Sequence, residues 1–211
     1  LEIDNNIKVH LNKLNINSKP KIIAVSKTFK IDKILPLIEH GHIDFGENKV
    51  QEASEKWMDI KKNNLQIKLH MIGKLQTNKV KYAVKIFDYI HSVDSEKLAK
   101  KIADEQLKVN KNIKIFLQVN IGEEDQKSGI NKSDISKLVS YCKNIQLEII
   151  GLMCIPPLNL DPNKYFFEMK ELSEKFGFTE LSMGMSSDYM LAVKNNSTYV
   201  RIGSSIFGQR S

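Results

Sequence analysis

The chain has 211 residues, 41% of them apolar and 27% charged, which is typical of one soluble globular domain and short for two. Its net charge of +7 comes from scattered lysines, with Arg201 and Arg210 as the only arginines, which disfavours a nucleic-acid-binding face. There is no apolar run of membrane-spanning length, and two cysteines without CxxC spacing indicate free thiols in the reducing cytoplasm.

Apolar segments of strand length alternate with segments of helical period along the chain. An amphipathic helix opens the sequence, and eight predicted strands follow at 21–27, 42–46, 67–73, 87–93, 113–120, 147–153, 180–184 and 198–203. This alternation predicts the α/β class, as a single-domain (β/α)8 TIM barrel over residues 1–211 with an extra N-terminal helix. An open doubly wound sheet is the alternative, but its dinucleotide-binding form lacks a GxGxxG motif after the first strand.

The clearest predicted helix covers residues 94–108, "DSEKLAKKIADEQLK". Asp94 or Ser95 is expected to cap its N-terminus, and its apolar side should carry the leucines and the isoleucine at 98, 102 and 107. Gly177 is well placed to end the helix before the seventh strand.

Lys27 follows the apolar run "KIIAVS" at the carboxyl end of the first predicted strand. The carboxyl ends of barrel strands carry the functional residues, and a partly desolvated lysine there has a lowered pKa and can form an imine with an aldehyde. A lysine that only reaches solvent from a strand end is the alternative interpretation.

Two glycine- and serine-containing loops follow the seventh and eighth strands, "SMGMSSD" at 182–188 and "RIGSS" at 201–205. In barrels these two loops often form one phosphate site, aided by helix N-termini. Arg201 lies between Val200 and Ile202 on the eighth strand, so its side chain is expected to point into the barrel mouth. A lysine, a phosphate cradle and an arginine together indicate a phosphorylated aldehyde. Pyridoxal 5'-phosphate (PLP) fits all three, and the phosphorylated sugar of an aldolase fits the first two.

Eight motifs then reveal a family resemblance: "AVSKTF", "FGENKVQE", "HMIGKLQTNK", "SVDS", "VNIGEEDQKSG", "GLMCIPP", "LSMGMSSDYMLAV" and "VRIGSSIFG". They occur in order from about residue 21 to residue 208, and together the sequence resembles the pyridoxal phosphate homeostasis protein family, also called the proline synthase co-transcribed group. The resemblance implies a barrel like the N-terminal domain of alanine racemase, with PLP as the cofactor. Cys154 stands where relatives commonly have a small residue such as alanine, and only a packing change is expected there.

The resemblance also implies roles for ten residues. The amine of Lys27 would hold PLP as a Schiff base, Arg201 would face the pyridine nitrogen, and Asn48 would lie near the cofactor ring. The remaining implied positions are a phosphate cradle of Ser182, Ser186, Gly203 and Ser204, the last of which is threonine in many relatives, and pocket-lining Met71, Asn120 and Met183.

An arginine facing the pyridine nitrogen leaves that nitrogen unprotonated, because a guanidinium does not yield its proton. The ring is then a poorer electron sink, so the site is better suited to holding PLP than to driving decarboxylation or transamination. The resemblance implies a PLP-binding regulator of vitamin B6 and amino-acid balance without catalytic turnover. Such a protein would be a cytoplasmic monomer, with apo-enzymes as candidate recipients of its PLP. The enzymatic alternative is a PLP-dependent amino-acid racemase or a Schiff-base aldolase. Either needs a positioned second acid or base, for which His91 is the best candidate, although a lone histidine is more often structural. The histidines lack metal-ligand spacing, so no metal is expected.

Overall fold

The structure is a computed structural model that describes residues 2–13 and 19–209. Eight parallel strands pair in chain order and close into a barrel, with the last strand hydrogen-bonded to the first. The strands are β1 (Lys21–Val25), β2 (Asp44–Glu47), β3 (Lys68–Met71), β4 (Tyr89–Val93), β5 (Lys114–Val119), β6 (Ile149–Cys154), β7 (Glu180–Met185) and β8 (Tyr199–Ile202). The predicted barrel class is therefore confirmed.

Helices on the outside of the barrel connect successive strands. They are α1 (Glu2–Lys13), α2 (Leu35–Glu39), α3 (Val50–Asn63), α4 (Val80–Ile86), α5 (Glu96–Lys108), α6 (Ile135–Asn144), α7 (Pro162–Phe176), α8 (Tyr189–Lys194) and α9 (Ser204–Phe207). Short 3-10 turns precede α2, α4 and α6. Within the described part of the chain, every helix is too short or too polar to cross a membrane.

The N-terminal helix α1 is the predicted addition to the barrel. Its residues Ile3, Ile7 and Leu11 are buried in one cluster with Val200 and Ile202 of β8. Burial of these side chains stabilises the helix in a way that its own 12 residues would not, because isolated helices of that length are marginal in water.

Two local predictions about helix α5 have different outcomes. Ser95 caps the helix by accepting a hydrogen bond from the N–H of Leu98, as expected. Leu107 was expected beside Leu98 and Ile102, but it is 77% exposed while those two are buried. Nine residues at about 100° each place Leu107 half a turn away from Leu98, so the prediction for Leu107 was wrong.

The barrel interior holds an unusually polar and aromatic set of side chains. His70 stacks on Tyr89 with ring centroids 4.3 Å apart, and His91 stacks on Phe116 at 4.2 Å. Tyr199 packs edge-on against His91 and Phe116. All five side chains are nearly or fully buried, so their ring planes and polar atoms are held in fixed directions below the carboxyl end of the barrel.

Candidate functional site

A cavity of about 590 Å³ opens at the carboxyl end of the barrel, where the sequence predicts function. Its lining comes from the ends of β1, β2, β3, β6, β7 and β8 and from the loops that follow them. Six of the ten predicted residues line it: Lys27, Asn48, Ser186, Arg201, Gly203 and Ser204. Apart from Lys27 and Arg201, the described lining residues are uncharged, so the cavity favours an anionic ligand.

Lys27 lies two residues beyond β1, in a turn, whereas the sequence pattern extended the strand to residue 27. The strand stops because the chain reverses here. The N–H of Phe29 donates to the carbonyl of Ser26 at 3.2 Å, and Thr28 adopts a left-handed conformation with φ of 67°. The N–H of Thr28 donates to Glu52 Oε1 on α3. The turn points the half-buried Lys27 into the cavity lining.

A buried polar cluster supports this turn from behind. Glu47 is fully buried at the end of β2, and its Oε1 accepts hydrogen bonds from Ser26 Oγ at 2.7 Å, Lys56 Nζ at 2.9 Å and Trp57 Nε1 at 2.9 Å. Lys56 also donates to the backbone carbonyl of Ser26 at 2.8 Å. These bonds fix the backbone immediately before Lys27, and the Lys56 cation offsets part of the cost of burying the Glu47 carboxylate.

Arg201 is buried at the base of the cavity, on the interior side of β8 as its flanking apolar residues predict. Its Nη1 donates to the backbone carbonyl and the hydroxyl of Ser182, at 2.7 and 2.9 Å, and its Nη2 donates to the carbonyl of Cys154 at 2.9 Å. Burial lowers the pKa of Arg201, but a guanidinium starts so high that it stays cationic. Three of the five N–H groups thus hold the guanidinium, and its Nε–H and one Nη2–H have no acceptor among the described residues.

The loops after the neighbouring strands β7 and β8 both line the cavity. Ser186 and Ser187 contribute from one loop, and Gly203 and Ser204 contribute from the other, where Ser204 begins α9. The first N–H groups of a helix have no partner within it, so this loop offers donors as well as hydroxyl groups. Gly184 has φ of 91°, and a Cβ there would lie 2.5 Å from the Cβ of Ala192, so only glycine lets the end of β7 pack this closely against α8.

Asn48 lines the main cavity and both of its neighbours. Its backbone is pressed against Gly73, where an added Cβ would lie 2.5 Å from the carbonyl oxygen of Asn48. A glycine at this point of the β3 loop is therefore required to hold Asn48 at the barrel mouth.

Four of the predicted site residues lie outside the main cavity. Ser182 is fully buried inside the barrel, where its hydroxyl contacts Arg201 and His91 Nδ1, instead of facing a phosphate. Met71 and Met183 each follow a residue that faces the barrel interior, so their side chains point outward into the hydrophobic core between the strands and the surrounding helices. Met71 also borders a separate cavity of about 340 Å³. Asn120 borders another cavity of about 340 Å³, which shares Asn48 with the main one.

Sequence reasoning missed part of the lining and its support. Ile72, Ile155 and Met185 add apolar surface to the cavity, and strand-end position was the one available signal for them. The buried partnership of Glu47 and Lys56 was also missed, because these two residues lie on a strand and a helix whose packing no local pattern specifies.

Comparison with known proteins defines the class. The family described as alanine racemase, N-terminal domain, matches residues 2–211. The pyridoxal phosphate homeostasis protein of Pasteurella multocida is 35% identical over 204 residues, covering 92% of this chain and 88% of the relative. The mouse protein of that name is 39% identical over 212 residues, covering 91% and 77%. This chain belongs to the pyridoxal phosphate homeostasis protein family, as its motifs predicted.

Solved structures agree with that assignment. The structure of PipY from Synechococcus elongatus with PLP bound has a TM-score of 0.82 and 35% identity, and the match covers 96% of this chain and 100% of PipY. Alanine racemase from Clostridium difficile has a TM-score of 0.70 at 15% identity, covering 98% of this chain and 57% of the racemase, which shows a shared fold alone.

Proposed function

We propose that this protein binds PLP in the main cavity and takes part in PLP homeostasis by holding and releasing it, without catalytic turnover. One observation carries the proposal: the cavity brings a lysine, a buried arginine and two serine–glycine loops together without a lining carboxylate among the described residues. The structure of PipY, a relative with 35% identity, has PLP bound, which supports the same ligand for this chain.

The lining residues fit the parts of the cofactor. The phosphate would be held by Ser186, Gly203 and Ser204, because they offer hydroxyl and N–H donors. The positive charges of Lys27 and Arg201 in the same cavity would also favour it. Lys27 would supply the amine that attaches the aldehyde, and Arg201 would direct its Nε–H at the pyridine nitrogen. Asn48 would contact the ring from the β2 side. When bound, PLP supplies an aldehyde carbon that condenses with amines and a ring that can accept electrons.

The cavity is better suited to holding PLP than to turning over an amino acid. Arg201 cannot give its proton to the ring nitrogen, which limits the ring as an electron sink. Racemisation also needs a second base on the opposite face, yet Lys27 is the sole residue of the described lining whose side chain can act as a base. His91, the candidate second base on β4, is enclosed in the barrel interior below Ser182.

The cavity mouth suits exchange of the cofactor with other proteins. Ser187, Ser204 and Gln209 at its rim are exposed, which supports release of PLP to apo-enzymes. We further propose that the protein acts as a monomer in the cytoplasm. The buried, unpaired thiols of Cys142 and Cys154 are in keeping with a reducing compartment.

Titration of the purified protein with PLP tests the function. Absorbance would follow binding, and borohydride reduction followed by peptide mapping would locate the modified lysine. We expect the label on Lys27, its loss in Lys27→Ala and Lys27→Arg, and normal labelling in Lys30→Ala, whose exposed side chain lies three residues away. The arginine variant separates loss of the reactive amine from loss of the positive charge.

Incubation of the PLP-loaded protein with single enantiomers of amino acids tests the absence of turnover. Chiral chromatography should show neither racemisation nor consumption over hours. A label spread over surface lysines would refute the cofactor site, and steady production of the opposite enantiomer would refute the non-catalytic part of the proposal while leaving the site intact.

A further inference from the structure

A continuous chain of side-chain hydrogen bonds crosses the barrel interior beneath the cavity. Asp44 Oδ1 lies 3.0 Å from His70 Nε2, and His70 Nδ1 lies 3.0 Å from His91 Nε2. His91 Nδ1 lies 2.8 Å from Ser182 Oγ, which accepts from Arg201 Nη1 at 2.9 Å. The five residues come from β2, β3, β4, β7 and β8, so the chain joins the opposite end of the barrel to the base of the cavity.

The ends of the chain fix its direction. A guanidinium can only donate and an ionised carboxylate can only accept. Ser182 accepts from Arg201, and the proton of its hydroxyl is then left to donate to His91 Nδ1. His91 must therefore carry its proton on Nε2 and donate to His70 Nδ1, and His70 in turn donates from Nε2 to Asp44. Each donor meets an acceptor, from the cation to the anion, with both histidines neutral.

The reverse direction leaves groups unsatisfied. If His91 Nδ1 donated to Ser182, the serine hydroxyl would have no acceptor in the chain, and the lone pair of His70 Nε2 would face the Asp44 carboxylate unless a further proton were bound. Burial lowers the pKa of His70 and lowers that of His91 well below its usual value, which disfavours that proton. Among other charged groups, Lys21 also opposes charge on His70, whereas Asp44 and Asp88 favour it.

Ring stacking fixes the orientation of the two imidazole rings. His70 lies parallel to Tyr89 with an interplanar angle of 12°, and His91 lies nearly parallel to Phe116 at 19°. Both histidines are fully buried, so water does not compete for their nitrogen atoms. The chain is therefore an ordered part of the barrel interior.

We propose that Asp44, His70 and His91 are positioning residues for Arg201: they orient the Ser182 hydroxyl so that the guanidinium is held with its Nε–H directed into the cavity. The chain is not a proton path to the cavity, because Arg201 ends it and neither accepts nor yields a proton there. The inference rests on the proposed function only in what Arg201 meets, which is the pyridine nitrogen of PLP.

The histidine tautomers test the direction of the chain without any cofactor. Long-range proton–nitrogen NMR spectra of the full, PLP-free chain labelled on histidine would assign five residues, with His70→Phe and His91→Phe identifying the two in question. We expect both to be neutral and protonated on Nε2 at pH 7. A proton on Nδ1 of His91, or a charged imidazole, would overturn the proposal, and this wild-type result stands even if a variant fails to fold.

Labelled arginine tests whether the chain holds the guanidinium. The sequence has two arginines, so Arg210→Lys assigns the signals of Arg201. We expect separate, slowly exchanging Nη resonances in the wild type and their averaging in Ser182→Ala and His70→Phe. Tyr89→Phe is the matched control, because it removes the hydroxyl of the ring that stacks on His70 while leaving the chain complete.

PLP affinity supplies the second readout. The dissociation constant should rise about tenfold in Ser182→Ala and His70→Phe, as expected when a hydrogen bond to a charged group is lost, and should change little in Tyr89→Phe. Equal effects of all three variants on both the arginine signals and the affinity would show a packing role and refute the positioning role. If the wild type bound no PLP yet the tautomers and arginine signals were as expected, the proposed function would fall and the chain would stand.

Discussion

The buried ion pair of Glu47 and Lys56 makes a strong prediction about the turn that carries Lys27. Their side chains are 0% and 9% exposed, and Lys56 Nζ lies 2.9 Å from Glu47 Oε1. Lys56→Met keeps most of the side-chain volume but removes the cation. The Glu47 carboxylate would then remain buried with only the neutral donors of Ser26 and Trp57, and its Oε2 already lacks a partner among the described residues.

The magnitude follows from that burial. Breaking a buried pair by removing one partner costs about 3–5 kcal/mol, because the other charge is left uncompensated. The second partner of Lys56, Glu52, is 26% exposed, so losing this contact adds no more than about 1 kcal/mol. In the double variant Glu47→Gln/Lys56→Met the uncompensated charge is gone, so the free energy of unfolding should fall by less than in Lys56→Met alone.

Urea unfolding measures these free energies. Trp57, the single tryptophan, reports directly on the cluster, and far-UV circular dichroism checks that the whole barrel unfolds with it. Lys62→Met on the same helix is the matched control, because Lys62 and its partner Asp59 are 67% and 90% exposed, and its cost should be within about 0.5 kcal/mol. A cost for Lys56→Met below about 1 kcal/mol, or a double variant that loses the sum of the single costs, would refute the reasoning.

Three further predictions concern pH, thiol reactivity and backbone strain. Burial lowers the pKa of His70 and His91 below 6.5, so the unfolded chain binds protons that the folded one does not. The free energy of unfolding should therefore decrease as the pH drops below 6.5, by up to about 1.4 kcal/mol per pH unit for each histidine. In urea titrations, the double variant His70→Phe/His91→Phe should show a weaker dependence on pH. Burial raises the pKa of Cys142 to about 11 and that of Cys154 to about 12, so iodoacetamide at pH 8 should label both only after unfolding, and rapid labelling of the native protein would contradict this. Thr28→Gly should raise the free energy of unfolding by about 1 kcal/mol, because threonine is strained at φ of 67°. A lower free energy of unfolding for the variant, measured with heat or urea, would disprove the strain.

The fold could be predicted from local sequence patterns. All eight predicted strands overlap observed ones, because a buried parallel strand needs a short apolar run and its helix needs a period of 3.6 residues. The ends were less accurate: β1 stops at Val25, where a turn anchored to α3 takes over, and no property of residues 26 and 27 alone requires that turn.

The site could be predicted from the sequence only in part. Strand-end position placed Lys27, Arg201 and the β8 loop together, but it could not tell Ser186, which lines the cavity, from Ser182, which lies inside the barrel. The pairing of β7 with β8 shifts register between residues 182 and 185, and such irregularities change which side chains face the mouth.

By itself, the sequence determined the order of strands and helices, the family and the chemical groups available at the carboxyl ends of the strands, because these depend on short-range pattern and residue type. The closed tertiary structure decided which of those groups meet. Five residues far apart along the sequence form one hydrogen-bonded chain: Asp44, His70, His91, Ser182 and Arg201. They meet because barrel closure places their five strands around a common interior. Contacts of that kind are set by strand tilt, register and packing, which belong to the assembled barrel and to none of its segments alone.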